Sequence, residues 1–362
     1  MSDKSKAQAL VTKWIREDVR AMSAYKVTPA ERLIKLDAME NPYSLPEEMT
    51  SSWIQRVSAS TLNRYPDGNA SELKSRIRQV LNVPEACELV LGNGSDELIQ
   101  LIAMLVGGPN RVLMSPDPSF SMYEVISTIT QSKFVGVPLH QDYSLDLDRM
   151  LSQIEIHQPA CIFIAYPNNP TGNLFDEQQI RQVVEKAPGL VVLDEAYHSF
   201  SQTSLMRFTT EYDNVLLLRT FSKSGLAGLR LGMLIGKPVW TNEVEKLRLP
   251  YNINVLTQDV SLCVLERFDE LKIQVDKILE NRAYLFDELT SISGIDVFPS
   301  HTNFFLFRVD DSTQVFAALK VKGILIKDLK QTDGLLKNCL RVTVGTREEN
   351  DAFLTSLKEI LN

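Results

Sequence analysis

The 362-residue sequence holds only four cysteines, Cys87, Cys161, Cys263 and Cys339, and they stand far apart. None has the paired spacing of a metal clip. Cys161 sits in an apolar run and reads as an inert core thiol, so a reducing cytoplasm is the expected compartment. Histidine is equally scarce. His140, His157, His198 and His301 show no metal spacing and read as structural, with His301, close to Asn303, the one placed to approach a substrate. No metal is expected. Positive charge is also short, at 38 Lys and Arg against 46 Asp and Glu, a net charge of −8. That balance argues against a general nucleic-acid or anionic-membrane binder, and no basic helix-turn-helix pattern precedes residue 30. An anionic small molecule, held by a few local cations and helix ends, stays open. There is no apolar h-region and no apolar span of about 18 residues, so neither a secretory signal nor a membrane helix is expected. Internal repeats, low-complexity tracts and charge blocks are absent too.

What is present is an ordinary soluble composition, 44% hydrophobic and 23% charged, in a chain long enough for two domains. Val11, Trp14, Ile15, Val19 and Met22 recur at steps of three and four, which predicts one helix over 5–22 with an apolar stripe. Such a stripe needs cover from the chain's own core or from a neighbouring subunit. Residues 46–84 read as helical, broken by the turn-forming stretch 63–68. From residue 88 short apolar runs recur at 88–91, 111–114, 134–137, 161–165, 190–193, 215–218 and 231–236. Most are separated by amphipathic helical stretches such as 97–106 and 177–186. Continuous apolar strands alternating with helices predict a mostly parallel seven-stranded sheet covered on both faces, an α/β arrangement. After Leu249-Pro250-Tyr251-Asn252 the pattern changes to one long helical stretch over about 257–290, strands at 303–307, 324–326 and 340–344, and a closing helix over about 347–361. Three parts are therefore expected: an N-terminal segment 1–45 joining the small domain and a dimer partner, a large domain 46–256, and a small α+β domain 257–362.

In parallel sheets ligands sit beyond the carboxyl ends of the strands, and four such ends carry polar residues the sheet does not need. Gly92-Asn93-Gly94-Ser95-Asp96-Glu97 opens a helix, which suits a phosphate but equally an ordinary N-cap. Tyr166-Pro167-Asn168-Asn169-Pro170-Thr171-Gly172 is a rigid turn that fixes an amide. Asp194-Glu195-Ala196-Tyr197 puts a carboxylate directly after four apolar residues, where it needs a cation or donors, unless it only caps the next helix. Lys223 lies between two core strands, in a stretch from Arg219 to Arg230 that also contains Ser222. Removed from water an ammonium loses its proton readily, and a neutral amine attacks carbonyls. By itself that stretch also reads as a Gly-rich strand-loop-strand with surface charges. Together the four ends supply an amine, a carboxylate, a phenol, an amide and a phosphate seat, the set a pyridoxal phosphate site requires.

These pieces, with Tyr25, Glu40-Asn41-Pro42-Tyr43, Arg64-Tyr65-Pro66 and the stretch Leu340 to Arg347, resemble the fold-type I pyridoxal-phosphate aminotransferases over nearly the whole chain. The closing Leu340-Arg341-Val342-Thr343-Val344-Gly345-Thr346 points to their histidinol-phosphate branch. The resemblance implies a cofactor, pyridoxal 5'-phosphate, held as a Schiff base by Lys223, which then moves a proton between substrate and cofactor. It implies Asp194 at the ring nitrogen, Tyr197 and Asn169 at the ring oxygen, and Phe120 stacked on the ring, with Tyr123 the competing choice. Ser95, Asp96, Ser222 and Arg230 would seat the phosphate, joined by Tyr65 from the other subunit of a homodimer with shared active sites. Tyr25, Asn41, Lys327 and Arg341 would contact substrate, Arg341 taking the carboxylate of glutamate in one half-reaction and the histidinol phosphate group in the other. Two departures stand out: Arg230 follows Lys223 by seven residues where many relatives have eight, which implies a tighter turn at Ser224-Gly225, and Lys327 stands where many have arginine. The implied reaction is transamination between L-histidinol phosphate and 2-oxoglutarate in histidine biosynthesis. Alternatives on the same fold are an aromatic amino acid aminotransferase or a threonine-phosphate decarboxylase. A non-catalytic cofactor-binding regulator is a different class of answer.

Overall fold

The computed structural model describes residues 3–24, 27–329 and 333–361. A two-residue strand, β1 (Ile34–Lys35), precedes seven strands: β2 (Glu88–Asn93), β3 (Val112–Asp117), β4 (Lys133–Pro138), β5 (Cys161–Ala165), β6 (Leu190–Asp194), β7 (Val215–Thr220) and β8 (Leu231–Gly236). These seven form one sheet in the order β2-β8-β7-β6-β5-β3-β4. All seven fall on the apolar runs of the sequence. The sheet is mostly parallel, with β8 alone running against its neighbours β2 and β7.

Each strand buries alternate residues in different layers, because successive side chains point to opposite faces. Along β6, Val191 and Leu193 join one hydrophobic cluster and Leu190 and Val192 the other. Helix Ser95–Val106 covers the second face with Leu98, Ile99 and Ile102, all fully buried. Helices Ser71–Val80 and Glu177–Lys186 cover the first with Leu73, Ile77, Ile180 and Val183. Fully burying one such side chain contributes about 1.5–3 kcal/mol, so a two-sided cover leaves the sheet's register little freedom.

The remaining strands are β9 (Asp296–Val297), β10 (Phe304–Arg308), β11 (Ile324–Leu325), β12 (Lys327–Asp328) and β13 (Cys339–Thr343). Four of them make an antiparallel sheet, β12-β13-β10-β9, while β11 pairs in parallel with β1. Leu36, Phe304, Phe305, Phe307, Ile324, Leu340 and Phe353 build a second core there. The N-terminal stretch 34–39 is thus stitched into the C-terminal half of the chain.

Two helices differ from the sequence reading. The stretch 257–290 is two helices, Val255–Glu266 and Phe268–Thr290, separated at Arg267 (φ −119°, ψ 38°). No proline or glycine marks that break. Arg267 reaches back to Glu48 at 3.0 Å and also pairs with Glu270. Val255–Glu266 packs on Glu47–Ser58 and Ser71–Val80, so the division drawn at 257 falls inside a helix that belongs to the first core.

The N-terminal helix is also divided, into Asp3–Trp14 and Glu17–Ala21. Arg16 interrupts it with an extended backbone (φ −51°, ψ 143°). Its guanidinium binds Asp18 and the carbonyls of Thr128 and Ile129, which anchors the segment to the end of helix Met122–Ile129. The apolar stripe is left open: Val11, Trp14, Ile15 and Val19 are all exposed, Trp14 at 69%, as is Leu10 beside them.

Candidate active site

The carboxyl ends of β2, β3, β5, β6 and β7, with the start of antiparallel β8, meet at one edge of the large sheet, around an open cavity of about 570 Å³. Its wall includes nine of the residues singled out in the sequence: Ser95, Asp96, Phe120, Asn169, Asp194, Tyr197, Ser222, Lys223 and Arg230. Met39 and Thr220 also line it. Neither carries a signal in the sequence, since one is an ordinary apolar residue and the other an ordinary strand residue.

Asp194 ends β6 and is buried. Its Oδ2 accepts from the Tyr123 hydroxyl at 2.8 Å and its Oδ1 from the Ala196 amide at 3.1 Å. Burial pushes its carboxyl up to about 6, and the two hydrogen bonds pull the other way. A cation placed beside it would restore its charge. Tyr123, weighed against Phe120 for a stacking role, is fully buried and committed to Asp194, whereas Phe120 lies on the cavity wall.

Lys223 follows β7, which pairs with β6, so amine and carboxylate arise from neighbouring strand ends. Its Nζ donates to the Ala38 carbonyl at 3.3 Å. Burial, helped by the positive charge of Arg341, brings its pKa down to about 8. A usable fraction of neutral amine therefore exists near neutral pH. The turn holding it is not tighter. Residues Ser222–Leu226 form a wide π turn in which the Phe221 carbonyl accepts from both the Ser224 and Leu226 amides, at 3.1 Å each. A 3-10 turn, Ala227–Leu229, follows, and Arg230 then adopts a left-handed backbone (φ 52°). Seven residues are thereby enough to bring the Arg230 guanidinium to Asp96, at 3.5 Å, over the start of helix Ser95–Val106.

That start is built by close backbone approach. Gly94 enters the helix at φ 80°, and a Cβ there would meet Arg230 Nη2 at 2.6 Å. A Cβ on Gly232 of β8 would meet the Gly94 carbonyl carbon at 2.4 Å and the Ser95 nitrogen at 2.6 Å. Free amides at a helix N-terminus beside a guanidinium and the Ser222 hydroxyl make a seat for an anion.

Across the cavity Tyr197 is buried against Phe304, and its oxygen accepts from Asn169 Nδ2 at 3.2 Å. Burial raises the phenol's pKa, so it keeps a proton to donate. Asn168 fixes the turn behind Asn169 through Pro118, Ser119 and Thr171. Arg341 reaches Asn169 Oδ1 at 2.6 Å and the Asp37 carbonyl at 3.1 Å. Lys327 stands directly opposite Arg341 in the antiparallel pair β12-β13, so both cations project from one face of the small sheet.

Other site residues expected from the sequence do not fall on this wall or lie outside the described residues. Asn41 does not line the cavity; its amide donates to the Ser224 carbonyl and to Gln274, so it braces the lysine turn. Tyr65 is 80% exposed and stacks on Tyr251 at 4.4 Å, outside this chain's own cavity. Tyr25 lies outside the described residues. His301 is exposed, and its backbone amide bonds Gly172.

Sequence reasoning also missed an ion pair behind the site. Glu195 is fully buried and takes two hydrogen bonds from Arg219, at 3.0 and 2.8 Å, and one from the Leu205 amide at 2.6 Å. Arg219, read as a surface charge, is only 5% exposed. Among the described residues no cluster of His, Cys, Asp and Glu is placed to hold a metal, and no helix is long and apolar enough to cross a membrane. What fits the cavity is a planar group with a carbonyl for the amine, a protonated ring nitrogen for the acid, and an anionic arm for the helix end.

The chain belongs to the aminotransferase class I and II family, whose model matches residues 31–357. Histidinol-phosphate aminotransferase 2 of Nitrosococcus oceani is 49% identical over 350 residues, 96% of this chain and 97% of that protein. Histidinol-phosphate aminotransferase 2 of Burkholderia pseudomallei is 46% identical over 345 residues, 95% of this chain and 97% of that one. Among solved structures, histidinol-phosphate aminotransferase from Sinorhizobium meliloti, in complex with pyridoxal-5'-phosphate, superposes with a TM-score of 0.86 at 22% identity. That match covers 96% of this chain and 97% of the other, and shares the fold.

Proposed function

We propose that this protein is a pyridoxal-phosphate-dependent transaminase that takes L-histidinol phosphate and 2-oxoglutarate to imidazole acetol phosphate and L-glutamate, a step of histidine biosynthesis. The observation that carries the reading is the convergence of Lys223, Asp194, Tyr197 and Asn169 on one cavity, with Arg341 bonded to Asn169, in a chain whose near-full-length relatives carry that activity in their names.

The bound cofactor supplies an aldehyde that exchanges amines and a ring that accepts the electrons of the substrate α-carbon. The residues do the rest. Lys223 would hold the aldehyde carbon through its amine, and the same amine, freed when substrate binds, would serve as the general acid-base beside the substrate α-carbon. Asp194 holds the proton on the ring nitrogen. Tyr197 donates to the ring oxygen while Asn169 steadies it. The amides of Ser95 and Asp96, the Ser222 hydroxyl and Arg230 hold the phosphate, and Phe120 covers the ring. Arg341, whose planar fork suits a carboxylate, serves glutamate in one half-reaction. In the other, Arg341 and Lys327 together draw the phosphate of histidinol phosphate, Lys327 acting as a point charge.

The reading includes a homodimer in the cytoplasm. Tyr65, exposed on its own chain, supports a site completed across the subunit boundary, and the open stripe of Val11, Trp14 and Ile15 supports burial of the N-terminal helix on a second subunit. Steady-state assays with 2-oxoglutarate as acceptor test the substrate. The reading requires kcat/KM for L-histidinol phosphate to exceed that for L-phenylalanine by at least about a hundredfold, the margin expected when buried polar groups built for one substrate go unpaired with another. Faster turnover of phenylalanine would move the protein to the aromatic branch.

A further inference from the structure

Tyr123 has no part in the roles assigned above, yet its position is more demanding than packing requires. Its ring is fully buried, stacked on Phe163 with centroids 4.8 Å apart and meeting Phe120 edge-on at 5.5 Å. Phenylalanine would satisfy both contacts, and phenylalanine is what the chain uses at 120 and 163. A hydroxyl in such surroundings is unfavourable unless it is paired. This one is paired with Asp194 Oδ2 at 2.8 Å.

We propose that Tyr123 is a positioning residue, whose hydroxyl keeps the Asp194 carboxylate ionised and aimed at the cofactor's ring nitrogen. The inference rests on the proposed pyridoxal phosphate chemistry. Asp194 needs such help. Burial and the negative charges of Asp96, on the helix start, and of Glu195, next in the chain, all favour its neutral form. The Tyr123 hydroxyl and the Ala196 amide oppose them through hydrogen bonds. The phenol is itself held well above its ordinary pKa, first by burial and then by Asp194, so it stays a donor over the working range. Oδ1 is fixed by backbone and Oδ2 by Tyr123, which leaves the carboxylate one orientation. Through its edge contact with Phe120, the same ring also ties the acid to the residue that covers the cofactor.

The test compares the parent protein with Tyr123→Phe, which removes one oxygen and keeps both ring contacts. Two readouts apply: the equilibrium dissociation constant for pyridoxal phosphate, and the nitrogen-15 shift of ring-labelled cofactor in the complex. The variant is expected to bind the cofactor about tenfold or more weakly, as loss of a hydrogen bond to a charged group implies. Its ring-nitrogen signal should move toward the neutral pyridine position, and kcat should fall with KM for the amino donor unchanged. In an Asp194→Asn background, Tyr123→Phe should cost no further affinity. An unchanged dissociation constant and nitrogen shift would overturn the proposal, and so would an equal loss in the Asp194→Asn background, which would mean the phenol acts by packing alone. Should Tyr123→Phe fail to fold, 3,5-difluorotyrosine at the same position replaces it; this stronger donor should shift the nitrogen signal toward the protonated form, and no shift or the opposite one would overturn the proposal. Failure of the parent itself to bind the cofactor would refute the functional reading, and it shows before any variant is compared.

Discussion

Arg341 Nη1 lies 2.6 Å from Asn169 Oδ1, and Asn169 Nδ2 lies 3.2 Å from the Tyr197 oxygen. One amide thus joins a cation on the small antiparallel sheet to a phenol at the edge of the large one. The group proposed to receive substrate and the group proposed to steady the cofactor share a hydrogen-bonded chain. Arg341→Lys keeps the charge and loses the planar fork. It should lower kcat/KM for glutamate about 10- to 100-fold, as loss of a charged hydrogen bond worth ~1.5–3 kcal/mol implies. Because the Asn169 contact is lost too, the visible spectrum of bound cofactor should also shift. A change in KM with an unaltered spectrum would separate the two roles.

The Glu195–Arg219 pair lies behind the site with almost no water. Removing one partner of a buried pair leaves an uncompensated charge, at a cost of about 3–5 kcal/mol. Arg219→Leu should therefore lower unfolding stability by that amount in urea titration. The double variant Glu195→Leu with Arg219→Leu should lose much less, since no lone charge remains. Equal losses would show that the pair is not the source of the effect.

Two buried groups predict how the cofactor-free protein responds to pH. Lys223 moves from its ordinary 10.5 down to about 8 on folding, chiefly through burial. Between those values the unfolded chain binds more protons than the folded one, so stability rises with pH across that window. Asp194 moves from 3.8 up to about 6, again chiefly through burial. There the folded protein binds more protons, and stability falls as pH rises from 3.8 to about 6. Lys223→Met should flatten the alkaline rise and Asp194→Asn the acid fall in denaturation midpoints measured across pH. Capture of cofactor needs a neutral amine and an ionised acid, so its rate should climb through both pKa values.

Tyr65, exposed beside Tyr251, tests the shared site. Tyr65→Phe should weaken cofactor binding about tenfold if its hydroxyl reaches the phosphate of a neighbouring subunit, since it removes a hydrogen bond to a charged group. Mixing Tyr65→Phe chains with Lys223→Ala chains should then give hybrids with one intact site each. Absence of any recovered activity on mixing would argue for sites that are complete within each chain.

The seven main strands were legible because strands covered on both faces, as β5 to β8 are, read as continuous apolar runs, and each run, from 88–91 to 231–236, including that of the partly exposed edge strand β4, is a strand of the sheet. The site was legible for the complementary reason. Asp194, Asn169, Ser95 and Lys223 all stand within five residues of the carboxyl end of an apolar run, where a parallel sheet receives its ligands. Contacts set by distant parts of the chain were not legible. Nothing near Tyr123 foretells a hydroxyl aimed at Asp194, 71 residues on. Arg219 looks like a surface charge until Glu195 is seen facing it, and the bond from the Asn41 amide to Gln274 joins residues far apart in the sequence. The breaks at Arg16 and Arg267 escaped because both residues are good helix formers whose side chains bind distant partners, the Thr128 and Ile129 carbonyls for Arg16 and Glu48 for Arg267.

The central claim is that Lys223 both anchors the cofactor and moves the proton, and Lys223→Ala tests it most directly. With pyridoxal phosphate added, the variant should still bind cofactor through Asp194, Ser222 and Arg230. It should lose the visible absorbance of the covalently held form, and transamination of L-histidinol phosphate should fall on the order of 10⁴-fold or more, the upper range for one general acid-base group. Retention of that absorbance, or of turnover near the parent's rate, would contradict the account.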